Sequence, residues 1–263
     1  MPVKRVGDIN LNYTVQGEGE WLVMIGGYAS GNWQAWGGHL TELARRYRVL
    51  AFDNRGIGES DAPDHPYTTR MMAQDTLGLM DALGIERAHI LGKSLGGAIG
   101  QWVALEQPGR VRSLAMTSTF AVMDPRTKRM VEWWRGTARE AGFSTLFPGL
   151  LTYFLTAEYY TANPEAIARM ERTLIETKRP LHGFLNTGNC LLTHDTMARL
   201  HEITAPTLIM CGAEDIVTPP QHSEEMGRRI PKAEVHIIPR TLHGFMTERP
   251  DTFDTIVDFF ARH

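Results

Sequence analysis

Cysteine is scarce in this chain: Cys190 and Cys211 are the only two, far apart and without a C-x-x-C spacing. A disulfide framework or a cysteine metal centre is therefore not expected, and both thiols should be reduced and mostly buried. Long apolar runs are lacking too. The longest, Trp21–Ile25, has 5 residues, whereas crossing a bilayer takes roughly 20. The start, Met1-Pro2-Val3-Lys4-Arg5, does not resemble the apolar segment of a signal peptide, so a cytoplasmic protein with no membrane insertion is expected. Basic clusters stop at pairs such as Arg45-Arg46, and 27 basic against 30 acidic residues leave a formal charge of −3. Nucleic acid is not an expected partner for such a surface. Solenoid-length repeats and low-complexity stretches are also missing.

What remains is 263 residues with a 43% hydrophobic share, enough for one globular unit with a substantial core. Short apolar runs bounded by turn residues fall at 21–25, 48–52, 88–91, 111–116, 207–210 and 234–238 and read as strands. Helical patterns separate most of them. Over 69–83, Met72, Leu79, Met80 and Leu83 share a face that ends at Gly84. Over 95–107, Leu95, Ala98, Ile99, Trp102 and Val103 do the same ahead of Pro108-Gly109. Strands alternating with crossover helices predict an α/β protein built on a mainly parallel sheet, with residues 1–20 adding an antiparallel start.

The alternation fails between about Asp124 and Glu202, where helical patterns take over. Asp124-Pro125 and Asn163-Pro164 each read as an N-cap followed by proline at the first helical position, and Gly142 as a stop. The expected organisation is a discontinuous core, 1–122 and 204–263, interrupted by a helical cap over 123–203. This segment is rich in large apolar groups. Most should pack the helices onto the core; Trp134, Phe147, Tyr153 and Phe154, with Gly27 from the core, are the candidates for lining a pocket at the carboxyl edge of the sheet.

Gly92-Lys93-Ser94-Leu95-Gly96, followed by Gly97, is the sharpest local signal. A G-x-S-x-G match means little alone, but this one follows a predicted strand and opens a predicted helix, the context in which the serine is raised above a sheet on a tight turn. Side chains at 92 and 96 would collide there. The helix beginning at Leu95 presents free N–H groups to a developing oxyanion. A serine hydroxyl needs a base. His243 follows the strand at 234–238 by a short loop, and Asp215 follows the strand at 207–210, so Ser94, Asp215 and His243 should converge at one sheet edge; Glu214 is the competing acid. The second oxyanion donor is expected after Trp21–Ile25, in Gly26-Gly27-Tyr28-Ala29-Ser30. The N–H groups of Tyr28 and Leu95 are the assigned pair, against a plain glycine turn that binds nothing.

These residues resemble the α/β-hydrolase superfamily along nearly the whole chain. Phe52-Asp53-Asn54-Arg55-Gly56-Ile57-Gly58-Glu59-Ser60 is similar to its D-x-R-G-x-G-x-S loop, and Leu242-His243-Gly244-Phe245 with Glu248-Arg249-Pro250 to its histidine loop. Within the superfamily the chain resembles the cluster of esterases, 3-oxoadipate enol-lactonases and cofactor-free haloperoxidases. Two departures stand out: Gly26-Gly27 where the family usually has His-Gly, and Lys93 where His is commoner. The resemblance implies a serine hydrolase of carboxylic esters or lactones with apolar acyl or aryl groups, acting through an acyl-enzyme without metal or organic cofactor. Carbon–carbon cleavage of diketones on the same triad, and a silent fold used for binding, are the alternatives. Dehalogenases and epoxide hydrolases are disfavoured because they place Asp where Ser94 stands. The expected partner is a small-molecule ester or lactone, and a homo-oligomer is compatible with the reading.

Other residues carry blander expectations. Asp53 and Arg55 should fix their own loop. Lys93 more commonly reaches solvent or a carboxylate in such a place than a substrate, although an acid-bearing lactone would need a cation such as Lys93, Arg135, Arg139 or Arg179. His182, His194, His201, His222 and His236 show no metal-ligand spacing. Trp33 and Trp36 are expected near the pocket mouth.

Overall fold

The structure, a computed structural model, describes residues 2–29 and 32–263; Met1 and Ser30 of the sequence reading lie outside them. Eight strands form one sheet in the order β1-β2-β4-β3-β5-β6-β7-β8. β1 (Val3–Val6) and β2 (Ile9–Gln16) are antiparallel, as are β2 and β4 (Arg48–Phe52). From β4 through β3 (Trp21–Ile25), β5 (Ala88–Lys93), β6 (Val111–Thr117), β7 (Thr207–Gly212) and β8 (Ala233–Ile238) every pairing is parallel. This is the α/β arrangement with an antiparallel start that the alternation predicts.

The helices are α1 (Gly37–Leu43), α2 (Thr69–Ala82), α3 (Leu95–Glu106), α4 (Pro125–Ala141), α5 (Phe143–Phe154), α6 (Ala157–Ala162), α7 (Pro164–Glu176), α8 (Leu181–Thr193), α9 (Pro220–Arg229), α10 (Phe245–Glu248) and α11 (Thr252–Ala261). They cover both faces of the sheet because its inner strands are apolar on both. Val23, Ile25, Leu50 and Phe52 enter one core with α2, α3 and α9, while their neighbours Leu22, Met24, Val49 and Ala51 enter the other with α1 and α11. That split is the two-residue period of a strand buried on both sides.

Helices α4 to α8 all lie between β6 and β7. Pairing of Val122 with Asp195 closes the base of this insertion. Asp124 caps α4 by accepting the Thr127 N–H at 3.0 Å, and Gly142 ends it at φ 79°. Asn163 differs from the expected N-cap: its side-chain amide donates to the Tyr159 carbonyl at 3.0 Å, and it gives α7 no side-chain cap. Asn163 closes α6 instead, its backbone N–H also donating to the Tyr159 carbonyl at 3.0 Å. Among the described residues no helix is long and apolar enough to cross a membrane.

Candidate active site

Ser94 stands between the end of β5 and the first residue of α3, at φ 53° and ψ −117°. Left-handed backbone at a residue with a Cβ is costly, and here packing enforces it. A Cβ on Gly92 would overlap the Gly96 carbonyl, and one on Gly96 the Ile25 carbonyl, so strand, turn and helix approach as closely as glycine permits. Ser94 N–H donates to the Thr117 carbonyl at 2.8 Å, and Thr119 Oγ1 donates to the Ser94 carbonyl at 2.7 Å. The four non-glycine residues with positive φ among those described are Ala29, Ser94, Ser118 and Arg240. Each follows the carboxyl end of a parallel strand (β3, β5, β6 and β8), so the strained backbone is concentrated at one edge of the sheet.

Three side chains from that edge meet. Ser94 Oγ lies 3.1 Å from His243 Nε2, and His243 Nδ1 lies 2.8 Å from Asp215 Oδ2. Asp215 is saturated with donors: its Oδ1 accepts the Val217 and Thr218 N–H groups at 2.8 and 2.9 Å, and its Oδ2 accepts the Thr218 hydroxyl at 2.8 Å. Burial by itself would push the Asp215 carboxyl up, but the His243 ring and the Thr218 donors outweigh it and hold the group below the ordinary carboxylate range. An ionised Asp215 only accepts hydrogen bonds, which keeps the imidazole proton on Nδ1 and turns the Nε2 lone pair toward Ser94. Glu214 is exposed and its N–H donates to the Thr241 carbonyl, so it is not the acid of this chain of contacts.

The histidine loop is anchored from both sides. Ser118 Oγ donates to the His243 carbonyl at 2.9 Å. From the insertion, the Phe154 ring lies 4.8 Å from the imidazole, its carbonyl accepts the Gly244 N–H at 2.7 Å, and Thr156 Oγ1 donates to Glu248 Oε2 at 2.7 Å. Sequence reasoning did not single out Thr218, Ser118 or Thr156; their only signal is a hydroxyl in the right loop, which becomes informative once the loops are placed.

Ser94 and His243 open into a cavity of about 450 Å³. Gly27 and Phe154 are in its wall, and so are Tyr28, Trp33 and Trp36. Trp134, Phe147 and Tyr153 are not, and these assignments are corrected. Trp134 is buried edge-on against Tyr153 at 6.3 Å, and Phe147 is fully buried, 5.5 Å from Phe143. Their helices turn these rings toward one another and toward α8, where they fill the interior of the insertion. The cavity wall comes instead from α7, whose Ala166, Arg169, Met170, Thr173 and Leu174 share a face. Their i, i+3, i+4, i+7, i+8 spacing is visible in the sequence, but Arg and Thr within it hide it from a search for aromatic groups.

Leu95 follows the serine in the chain, and Tyr28 lines the same cavity as Ser94. Leu95 is the first residue of α3, where an N–H has no partner within the helix. The Tyr28 ring is buried and stacks on Phe184 of α8 at 4.5 Å. Asp53 and Arg55 hold loops: Asp53 accepts from Asn12 Nδ2, Trp33 N–H and Glu59 N–H at 2.7, 2.7 and 3.0 Å, and Arg55 makes a buried two-point pair with Asp75. Of the insertion arginines, Arg139 is exposed and Arg179 lies 4.4 Å over the Phe147 ring; neither lines the large cavity, and nor does Arg135. Among the described residues no cluster of three metal-ligating side chains occurs.

A two-sided parallel sheet with a serine on a strained strand-to-helix turn defines a class, and sequence comparison agrees with it. Residues 20–250 match the family model described as alpha/beta hydrolase fold, and the chain belongs to that family. A RutD protein of Caulobacter vibrioides, to which carbamate hydrolysis is attributed, is 28% identical over 254 residues, 95% of this chain and 94% of its own length. The 3-oxoadipate enol-lactonase 2 of Acinetobacter baylyi is 26% identical over 255 residues, 95% and 92% of the two chains. The crystal structure of the enol-lactonase from Burkholderia xenovorans matches with a TM-score of 0.92 at 28% identity, covering 99% of this chain and all of that one.

Proposed function

We propose that the protein is a serine hydrolase of carboxylic esters or lactones, with Ser94 as nucleophile, His243 as general base and acid, and Asp215 as the group that orients and stabilises the imidazole. The continuous contact from Ser94 Oγ through His243 to Asp215, at 3.1 and 2.8 Å, carries the reading. Ser94 Oγ attacks the carbonyl carbon as its proton passes to His243 Nε2. The N–H groups of Leu95 and Tyr28 receive the carbonyl oxygen as it becomes an oxyanion. Collapse expels the leaving alcohol, or opens the lactone, with the proton returned by His243. Water, deprotonated by the same nitrogen, then releases the acid and restores Ser94.

The cavity supports small to medium apolar groups: Trp33, Trp36, Phe52, Ile57, Leu151, Phe154 and Leu155 are in its wall, and each buried methylene contributes about 0.8 kcal/mol. In this reading the helices over 123–203 form a cap on the core, and Phe154 and α7 shape the substrate from that side. A fluorophosphonate probe followed by peptide mapping is the direct test. Labelling of Ser94 that disappears in His243→Ala supports the mechanism; an unlabelled wild-type protein overturns it. Turnover of short aryl esters, enol-lactones, aryl carbamates and vinylogous diketones then ranks the substrate classes.

A further inference from the structure

We propose that Lys93 makes the cavity a binding site for a carboxylate carried by the substrate apart from its scissile carbonyl, and that this side chain selects acid-bearing esters or lactones over neutral ones. Lys93 is the residue before the nucleophile. Such a lysine ordinarily reaches bulk solvent or pairs with an acid, yet here it is half-buried and lines the same cavity as Ser94 and His243. Its backbone belongs to β5, but its ammonium makes no hydrogen bond or ion pair to any described residue.

The other charged groups on the wall sharpen the point. Asp53 is the only carboxylate among the described lining residues, and its oxygens are already engaged by Asn12, Trp33 and Glu59. Arg169 is the second cation; it sits on α7 at the exposed rim, loosely paired with Glu165 at 3.8 Å. His39 shares the wall with Lys93, and burial together with the neighbouring ammonium holds its ring below the ordinary histidine value, so it adds no competing charge near neutral pH. An ammonium withdrawn from solvent without a counter-charge costs the protein stability, and burial accordingly pushes Lys93 down from the usual lysine value. A ligand carboxylate would supply the missing counter-charge and remove that cost. A neutral ligand would leave the ammonium uncompensated and displace its water.

The selectivity claim rests on the hydrolase reading, whereas carboxylate binding does not, and the test separates the two. The substrates are 4-nitrophenyl hydrogen glutarate and 4-nitrophenyl valerate, in which a carboxylate replaces the terminal methyl. Their kcat/KM ratio is measured for wild type, Lys93→Met and Lys93→Arg. The ratio should fall by at least about 10-fold in Lys93→Met, chiefly through KM of the glutarate ester, and recover largely in Lys93→Arg, because a charge-assisted contact rather than side-chain bulk is being removed. Equal changes for both esters would mean that Lys93 serves the fold or the reacting centre, and the proposal is then wrong. In wild type the ratio should also shrink as sodium chloride is raised, so the claim stays testable if Lys93→Met does not fold; a ratio indifferent to both salt and substitution overturns it. Binding of glutarate and of valerate is read separately through the fluorescence of Trp33 and Trp36, which line the cavity. Glutarate binding that depends on Lys93 without turnover of either ester would uphold the carboxylate site and refute the hydrolase reading. Turnover with glutarate bound no better than valerate would do the reverse.

Discussion

The Ser94 turn and the helical insertion are built to different tolerances. At the turn, side chains added to Gly92, Gly96 or Gly97 would run into fixed backbone or into Thr119, whereas in the insertion Gly136 and Gly149 face open space and the crowded positions are Gly183 and Gly188 on α8, against Gly56 and against Arg135 and Tyr28. The sheet is buried on both faces, and its central side chains alternate between two closed cores. The insertion leaves Trp133, Ile175 and Leu181 exposed and reaches the His243 loop through a few contacts, notably Phe154 to His243 and Thr156 to Glu248. One region therefore holds Ser94 in place, while the other shapes the cavity and touches the His243 loop mainly at Phe154 and Thr156.

The largest expected effect lies in the rigid region. Ser94→Ala should lower kcat for any ester that is turned over by roughly 10⁴ to 10⁶-fold with little change in stability, and Asp215→Asn by roughly 10⁴-fold through the wrong imidazole tautomer. A loss below about 100-fold in steady-state assays would break the assignment.

Next comes the backbone contrast itself. Gly96→Ala should destabilise by several kcal/mol, roughly 3 or more, because the Ile25 carbonyl it meets cannot withdraw. Gly136→Ala, mid-helix in α4 with nothing near the new methyl, should stabilise by up to about 1 kcal/mol. Urea unfolding of the pair measures both, and equal effects would erase the distinction.

Acid should weaken both regions through buried neutral histidines. His194, at the foot of the insertion, is held down to about 3 by burial, and His89, in β5, is likewise pushed down to about 4. Above the ordinary histidine value of 6.5 both rings are neutral whether folded or not; below it only the unfolded chain takes up the protons. Stability should therefore be complete at pH 7 and fall as pH drops from 6.5 toward 4, by roughly 1 kcal/mol per pH unit for each ring. Thermal melts across that window check the slope, which should be shallower in His194→Gln.

The smallest effect belongs to the join between the regions. Thr156→Val removes a hydroxyl that donates to Glu248 and caps α6 by accepting the Tyr159 N–H, and should cost about 1 kcal/mol globally. Hydrogen exchange should rise in α5 and α6 while β5 and α3 stay protected. Faster exchange spread evenly over the chain would show the two regions to be mechanically one.

Much of the rigid region is legible residue by residue. The periodic apolar runs locate the strands, and the Gly92 to Gly97 segment carries its reason for being glycine in its own sequence. Ser94, Asp215 and His243 each sit just past a strand, so the topology of a parallel sheet is enough to gather them. The insertion is legible only as helical and aromatic. Trp134, Phe147 and Tyr153 look the same in sequence as Phe154, and what separates them is the direction in which each helix turns its face.

By itself, then, the order of residues determined the alternation of strands and helices, the serine turn, and the three loops from which Ser94, Asp215 and His243 come, because those depend on local periodicity and on steric rules spanning a few positions. Only the tertiary structure decided which aromatic rings fill the insertion and which face the cavity, that α7 forms a wall, and that Lys93 lines the same cavity with no side-chain partner among the described residues. Those outcomes depend on distances between segments remote along the chain, which packing of the helices onto the sheet sets and no short window of sequence contains.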